Sequence, residues 1–105
     1  MDPQIRRRLK FDLTVYPCMG KEDGDPIFGT PIILKGYELP KYGVTVVRNG
    51  VSLVVKSVIY FNGTDIDKIH KDDEIDSIFN GRLPVKAIVP YLALTEGYGL
   101  IEVYI

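Results

Sequence analysis

Residues 44–61, VTVVRNGVSLVVKSVIYF, decide the fold class of this chain. Two runs rich in valine flank Asn49-Gly50, the dipeptide that most readily adopts positive φ at both central positions of a type I′ turn. The stretch therefore predicts a β-hairpin. In its second strand, residues 51–61, alternation predicts that the core-facing side holds Val51, Leu53, Val55, Ser57, Ile59 and Phe61.

The opposite side of that strand carries Ser52, Val54, Lys56, Val58 and Tyr60. It is too apolar for full exposure and too polar for a core. Two interpretations stay open. Val54, Val58 and Tyr60 contact another subunit or a partner, or they form a partly covered exterior of a β-barrel.

Further alternating segments lie on both sides of the hairpin. Residues 9–18, 31–37, 83–94 and 100–105 predict strands, with Pro90 favouring an edge or a bulge in the third. These segments predict an all-β fold, a small antiparallel β-barrel or sandwich of about six to seven strands with long loops. The residues expected to be buried are Leu13, Val15, Leu53, Val55, Ile59, Val103 and Ile105.

Three segments predict loops. Residues 17–31 hold three Gly and three Pro and predict a long loop. Residues 38–43 contain Pro40 and Gly43, which should break or bend the strand ladder. Residues 62–79 hold six acidic residues against two Lys and predict an irregular connection with a short strand, anchored by Ile66, Ile69, Ile75 and Ile78.

Length and composition predict one domain, residues 1–105, in which residues 1–8 form a basic and flexible N-terminal tail. The net charge of −1 favours neither nucleic acid nor a membrane surface. Cys18 is the single cysteine, so no internal disulfide can form. Without an apolar run of about 20 residues or a signal peptide pattern, we expect a soluble protein of a reducing compartment and no membrane contact.

The sequence offers no recognisable catalytic or metal-binding motif. His70 is the only histidine and lies in the acidic stretch, where a solvated loop position is expected. A calcium loop that began at Asp65 would need Gly at its sixth position and Glu at its twelfth, but His70 and Asp76 stand there. We therefore expect no enzyme activity, no catalytic or metal-binding residues and no cofactor.

One basic cluster, Arg6, Arg7 and Arg8, stands near the start of the chain. It could contact phosphate or an acidic partner surface. A frayed, solvated terminus is the other interpretation.

The order of features resembles the small head-closure, or stopper, proteins of tailed bacteriophages. A first strand leads into the Gly- and Asp-rich segment GKEDGDPIFGTP, residues 20–31, and the next strand ends in Lys35-Gly36-Tyr37-Glu38. Asn49-Gly50 then precedes a strand that contains Ser57. An acidic step at residues 72–75 and a closing strand, IEVYI, complete the series, which spans residues 9–105.

The resemblance implies a β-barrel protein that forms a ring beneath the portal and adaptor proteins of the phage neck, closes the DNA channel and provides the surface for tail attachment. It would reside in the virion neck, and in the host cytoplasm during assembly. Its partners would be the adaptor or portal ring, tail proteins, further copies of itself and packaged double-stranded DNA. By position, residues 38–51 match the loop that enters the channel, which makes the candidate channel residues Lys41, Tyr42, Val44, Val46, Val47 and Arg48. Loop 18–30 would contact neighbouring proteins, although which of the two loops enters the channel stays open.

Other classes of function remain. Another neck or tail component, such as an adaptor or a tail terminator, would share these features. A small OB-like nucleic-acid-binding module would bind single strands with steep salt dependence, which the near-neutral charge argues against.

Overall fold

The computed structural model describes residues 9–48, 50–91 and 99–105 of the chain. These residues form nine β-strands and one short 3₁₀ helix, Gly63–Lys68. The strands are β1 (Phe11–Tyr16), β2 (Cys18–Glu22), β3 (Asp25–Phe28), β4 (Ile32–Arg48), β5 (Val51–Asn62), β6 (Glu74–Ser77), β7 (Gly81–Pro84), β8 (Ala87–Tyr91) and β9 (Leu100–Tyr104). The predicted all-β, antiparallel fold is confirmed.

Seven strands form one antiparallel sheet in the order β7-β6-β1-β4-β5-β9-β8. Its two edge strands, β7 and β8, are joined in sequence by only Val85 and Lys86. Three Cα–Cα steps span at most about 11 Å, whereas the edges of a flat seven-stranded sheet would lie roughly 29 Å apart. The sheet therefore curls until its edges meet at this link. Pro90 lies in edge strand β8, as its missing N–H predicts.

Residues 17–31 are not a long loop, which corrects the prediction. They contain the hairpin of β2 and β3, a separate two-stranded sheet. Its turn uses positive φ at Asp23 (51°) and Gly24 (86°), and Asp-Gly is a favoured pair for such a turn. The predicted strand over residues 83–94 is likewise divided, because the chain crosses from one sheet edge to the other between β7 and β8. Both changes raise the strand number above the predicted six to seven.

The interior of the curled sheet is one apolar core built from all seven strands and the connections between them. Its buried members are Leu13, Val15, Leu34, Ile59, Phe61, Ile69, Ile75, Val85, Ile101, Val103 and Ile105. Six of the seven residues predicted to be buried are buried. The exception is Leu53, which is half-buried because it lies on a part of β5 that extends past the barrel.

A β-bulge in β5 changes which residues face the core. The backbone N–H groups of Lys56 and Ser57 both point to the carbonyl oxygen of Ile105, at 2.8 and 3.4 Å. Such a bulge shifts the side-chain alternation by one residue. As a result Val55 and Val58 share a second buried cluster with Tyr104 on the outer side of β5 and β9. Val58 is 2% exposed and is therefore covered within its own chain, which leaves little of its surface for the predicted contact with another subunit.

Residues 38–51 are not a loop, which corrects that part of the prediction, while their entry into a channel stays a prediction. Residues 38–48 belong to β4, which runs on through 17 residues and pairs with β5 from Gly36↔Phe61 to Arg48↔Val51. The expected disturbance at Pro40 and Gly43 is present, because the register shifts between Pro40 and Val44 and Gly43 has φ of 80°. Cross-strand pairing thus holds these residues in a long hairpin. The conformation of its Asn49 lies outside the described residues.

Candidate interaction surfaces

The distal half of the β4–β5 hairpin extends away from the barrel, and we call residues 41–48 and 50–57 the arm. Strand β1 pairs with β4 only from Ile32 to Gly36, and β9 pairs with β5 from Val58 onward. Among the described strands, the two strands of the arm therefore pair with each other, and only Lys56 and Ser57 at its base also bond to the Ile105 backbone. Eight residues at about 3.3 Å each give the arm a length of roughly 25 Å. This agrees with an elongated molecule of 44 × 29 × 25 Å.

One face of the arm exposes apolar side chains. Thr45 lies opposite Val54, and Val47 lies opposite Ser52, so these four residues share a face. The side chains of Val47 and Val54 are 58% and 57% exposed. A two-stranded ribbon with exposed valines is marginal as an isolated element, which makes this face a candidate contact surface.

The candidate channel residues all lie on the arm, although not in a loop. Lys41 is half-buried and Val47 is exposed. Tyr42, Val44, Val46 and Arg48 occupy β4, and their side chains lie outside what the structure describes. Arg6, Arg7 and Arg8 lie wholly outside the described residues. Of the even-numbered β5 residues, Val54 is exposed and Tyr60 is half-buried, while Val58 is covered.

The arm is basic, while the remainder of the chain is acidic. Lys41, Arg48 and Lys56 lie in the arm, and none of the 14 Asp and Glu residues does. The other ten Lys and Arg residues stand against all 14 acidic residues in the rest of the chain. This asymmetry gives the arm an electrostatic attraction to anionic surfaces.

An apolar groove of about 310 Å³ lies at the base of the arm. It runs between β4 and the turn that joins β6 to β7. Three large apolar side chains in it are unusually exposed: Phe11 at 44%, Ile78 at 54% and Phe79 at 59%. The other residues that line it are Tyr37, Glu38, Leu39 and Pro40. Clustered exposed apolar groups of this size mark a contact site more often than scattered ones do.

The turn beside the groove is fixed by the buried side chain of Glu38. Its carboxylate accepts hydrogen bonds from the hydroxyl of Ser77 and, at 2.8 Å, from the backbone N–H of Ile78. The Ser77 oxygen in turn accepts from the N–H groups of Phe79 and Asn80, at 3.2 and 3.1 Å. The network holds Ile78 and Phe79 in an exposed position. The sequence predicts that Ile78 is an anchor, and this prediction is wrong.

Cys18, His70 and Asp73 meet near the start of β2, a combination that deserves a test as a catalytic cluster. The buried Asp73 carboxylate accepts from the backbone N–H groups of Cys18 and His70, both at 2.8 Å. The His70 Nδ1 lies 3.7 Å from it, and its side chain is exposed. The Cys18 thiol donates to the carbonyl of Gly20 at 3.5 Å, so it is not aligned with the imidazole. Asp73 thus ties the start of β2 to the backbone of His70, a structural role.

A stacked arginine attaches the β2–β3 hairpin to the main sheet. The Arg82 guanidinium lies 3.7 Å from the ring centroid of Tyr16 and 4.6 Å from that of Phe28. Its Nε donates to Glu74 at 2.5 Å. Cation–π contacts of this kind stabilise by about 0.5–1 kcal/mol at exposed sites.

Within residues 9–48, 50–91 and 99–105, no group of three or more His, Cys, Asp and Glu side chains could hold a metal ion. Every buried side-chain nitrogen or oxygen in the same ranges has a hydrogen-bond partner. In these ranges there is also no helix with the length and apolar character needed to cross a membrane. The arm and the groove are the two candidate contact surfaces, and Met19 and Ile33 are further exposed apolar side chains outside them.

Comparison with protein-family models, with curated proteins and with solved structures finds no match to this chain.

The sequence signal for the groove was present but incomplete. Ile78 and Phe79 directly precede Asn80-Gly81, a turn dipeptide. Two large apolar residues at a hairpin turn are unusual, because turns lie at the surface. The participation of Phe11, Leu39 and Pro40 depends on strand pairing and could not be read from the sequence.

Proposed function

We propose that this chain is a structural component of the tailed-phage neck, a head-closure protein. Copies of it form a ring beneath the portal or adaptor, close the DNA channel and present the surface that receives the tail. It acts as part of the assembled virion and carries out no reaction. The observation that carries this proposal is the arm, a long ribbon with exposed valines and a net positive charge on an otherwise acidic barrel.

The arm fits both contacts that such a protein needs. Exposed apolar side chains suit contacts with adjacent copies, which a ring requires. Lys41 and Arg48 supply positive charge for DNA phosphates, and their attraction falls as salt rises. The order of sequence motifs, from residue 20 to the closing strand, supports the same family. We expect the isolated protein to be a monomer or to associate weakly, and to form the ring on its adaptor partner.

The pairing register shows where the arm can be shortened to test whether it closes the channel. Val44 and Val55 are cross-strand partners, so replacing residues 45–54 by Asn-Gly closes a shorter hairpin with a favoured two-residue turn. The barrel core is retained, because its residues lie outside the deleted segment. We expect the shortened protein to keep the strand-dominated circular dichroism spectrum while filled heads lose their DNA.

The control is Asp23→Asn, which alters the β2–β3 turn and leaves the arm intact. Heads assembled with this variant should keep their DNA. Infectious, DNA-filled heads obtained with the shortened arm would exclude the arm as the gate. Electron cryomicroscopy of virions, with the chain located at a position other than the neck, would exclude the whole proposal.

An OB-like module for single-stranded nucleic acid is the second candidate, and the three cations of the arm favour it. It predicts binding of oligonucleotides by the isolated monomer, with affinity that falls steeply as salt rises. The shortened arm should then abolish oligonucleotide binding without any virion component present.

A further inference from the structure

The chain presents two surfaces with exposed apolar side chains, which lie at different places on the molecule. One is the arm face of Thr45, Val47, Ser52 and Val54, and the other is the groove with Phe11, Ile78 and Phe79. The groove borders β4 at the base of the arm, whereas the exposed valines lie further along it. The two surfaces differ in shape, a ribbon and a cleft, which is the pattern of a head-to-tail interface.

Charges beside the two surfaces are complementary. Lys56 is exposed and stands two residues from Val54 on β5, and it forms no ion pair with any described residue. Asp76 is exposed and stands two residues before Ile78, and it likewise forms no ion pair within the described ranges. Arg82 lies opposite Asp76 in the β6–β7 register, but its Nε donates to Glu74 instead. Two residues along the chain from an apolar residue of each surface thus stands a charge that has no ion-pair partner among the described residues, and the two charges have opposite signs.

We infer that the groove of one copy receives the arm of the next copy, with Val47 and Val54 packed against Ile78 and Phe79 and with Lys56 facing Asp76. The inference rests on the ring assembly proposed above and names its subunit contact. The arm's length of roughly 25 Å is similar to the two shorter extents of the whole molecule, 29 and 25 Å, so it can reach an adjacent molecule. Since the contact is head-to-tail, each copy uses both surfaces, and repetition gives a ring when the rotation between adjacent copies closes.

Paramagnetic relaxation in mixed samples tests this contact directly. One copy, without ¹⁵N enrichment, carries a spin label at Val47→Cys in a Cys18→Ser background. A second copy is enriched in ¹⁵N and carries no spin label. At about 1 mM protein, a contact with a Kd near 1 mM still populates the complex. We expect selective broadening of the amide signals of Phe11, Ile78 and Phe79 in the ¹⁵N copy. A spin label at Lys21→Cys, at the tip of the β2–β3 hairpin, should leave these signals sharp.

Charge reversal supplies the second part of the test. Lys56→Glu on the spin-labelled copy, or Asp76→Lys on the ¹⁵N copy, should abolish the broadening. The two reversed copies mixed together should restore it. Both substitutions are at exposed positions, and the ¹⁵N spectrum reports whether each copy is folded.

Three results would overturn the inference: no broadening at this concentration, broadening centred on another surface, or broadening that requires added duplex DNA. The last result would assign the arm to nucleic acid. None of these outcomes decides the neck function, which the DNA-retention experiment with the shortened arm tests separately.

Discussion

Ser77 donates its hydroxyl hydrogen bond to the buried carboxylate of Glu38, a residue 39 positions earlier in the chain. The contact joins the long strand β4 to the end of β6, and Glu38 also accepts from the Ile78 backbone. It therefore determines the position of the turn that lines one wall of the groove.

Glu38→Gln should destabilise the protein by about 1–3 kcal/mol, because the amide retains one acceptor and places an N–H donor where Glu38 accepted a hydrogen bond. Urea denaturation followed by circular dichroism measures the change as a lower midpoint. Glu22→Gln, at an exposed position of β2, is the matched control and should have no effect. Equal midpoints for the two variants would show that the carboxylate does not hold the turn.

Asp73→Asn should lower the free energy of unfolding by a similar amount, about 1–3 kcal/mol. Both oxygens of the buried carboxylate accept backbone N–H groups, those of Cys18 and His70, and the amide can replace only one of them. The neighbouring Asp72→Asn is the control: its side chain is exposed and its φ of 79° is tolerated by asparagine. If the two variants unfold at the same temperature, the Asp73 network does not stabilise the fold.

Gly36→Ala should destabilise the core by about 1–3 kcal/mol through overpacking. An added Cβ would lie 2.8 Å from Leu13 Cδ1 and 2.8 Å from the backbone oxygen of Tyr60. Gly29→Ala provides the contrast, because its nearest neighbour is the flexible, exposed side chain of Met19 at 3.0 Å. Thermal unfolding should separate the two variants clearly, and a Gly36→Ala protein as stable as the parent would contradict the tight packing described at this position.

Arg82→Lys should loosen the β2–β3 hairpin without unfolding the barrel. Lysine cannot stack its charge between Tyr16 and Phe28 while binding Glu74, as the planar guanidinium does. The free energy of local opening should fall by about 0.5–1 kcal/mol. Hydrogen exchange at the Gly29 amide, which donates to Pro17 at 2.8 Å, should become faster.

Lys35→Arg tests whether that effect is specific. Lys35 forms an exposed ion pair with Asp12, and such pairs contribute little to stability. Exchange at Gly29 should be unchanged in this variant. Unchanged exchange in Arg82→Lys as well would mean that the stack does not attach the hairpin.

The strands and their local turns followed from the sequence because the determinants of both are short in range. Period-two alternation placed β1, β5 and β9, and Asn49-Gly50 predicted the hairpin of β4 and β5. Asp23-Gly24 carries the same signal for β2 and β3, whereas the many Gly and Pro residues of segment 17–31 favour a loop. Local φ preferences determine such turns, so the information was available without any tertiary contact.

The surfaces of the molecule required the tertiary structure. The bulge at Lys56 and Ser57 exists because Ile105, at the far end of the chain, offers its carbonyl to both N–H groups, and this bulge determines that Val58 is buried and Val54 exposed. The groove likewise depends on Glu38 reaching Ser77 across 39 residues. The sequence by itself determined an antiparallel all-β chain with a hairpin at Asn49-Gly50. The pairing of distant strands decided that residues 41–48 and 50–57 extend as an arm and that Phe11, Ile78 and Phe79 meet in one groove. Such contacts form between residues whose local sequences contain no information about each other.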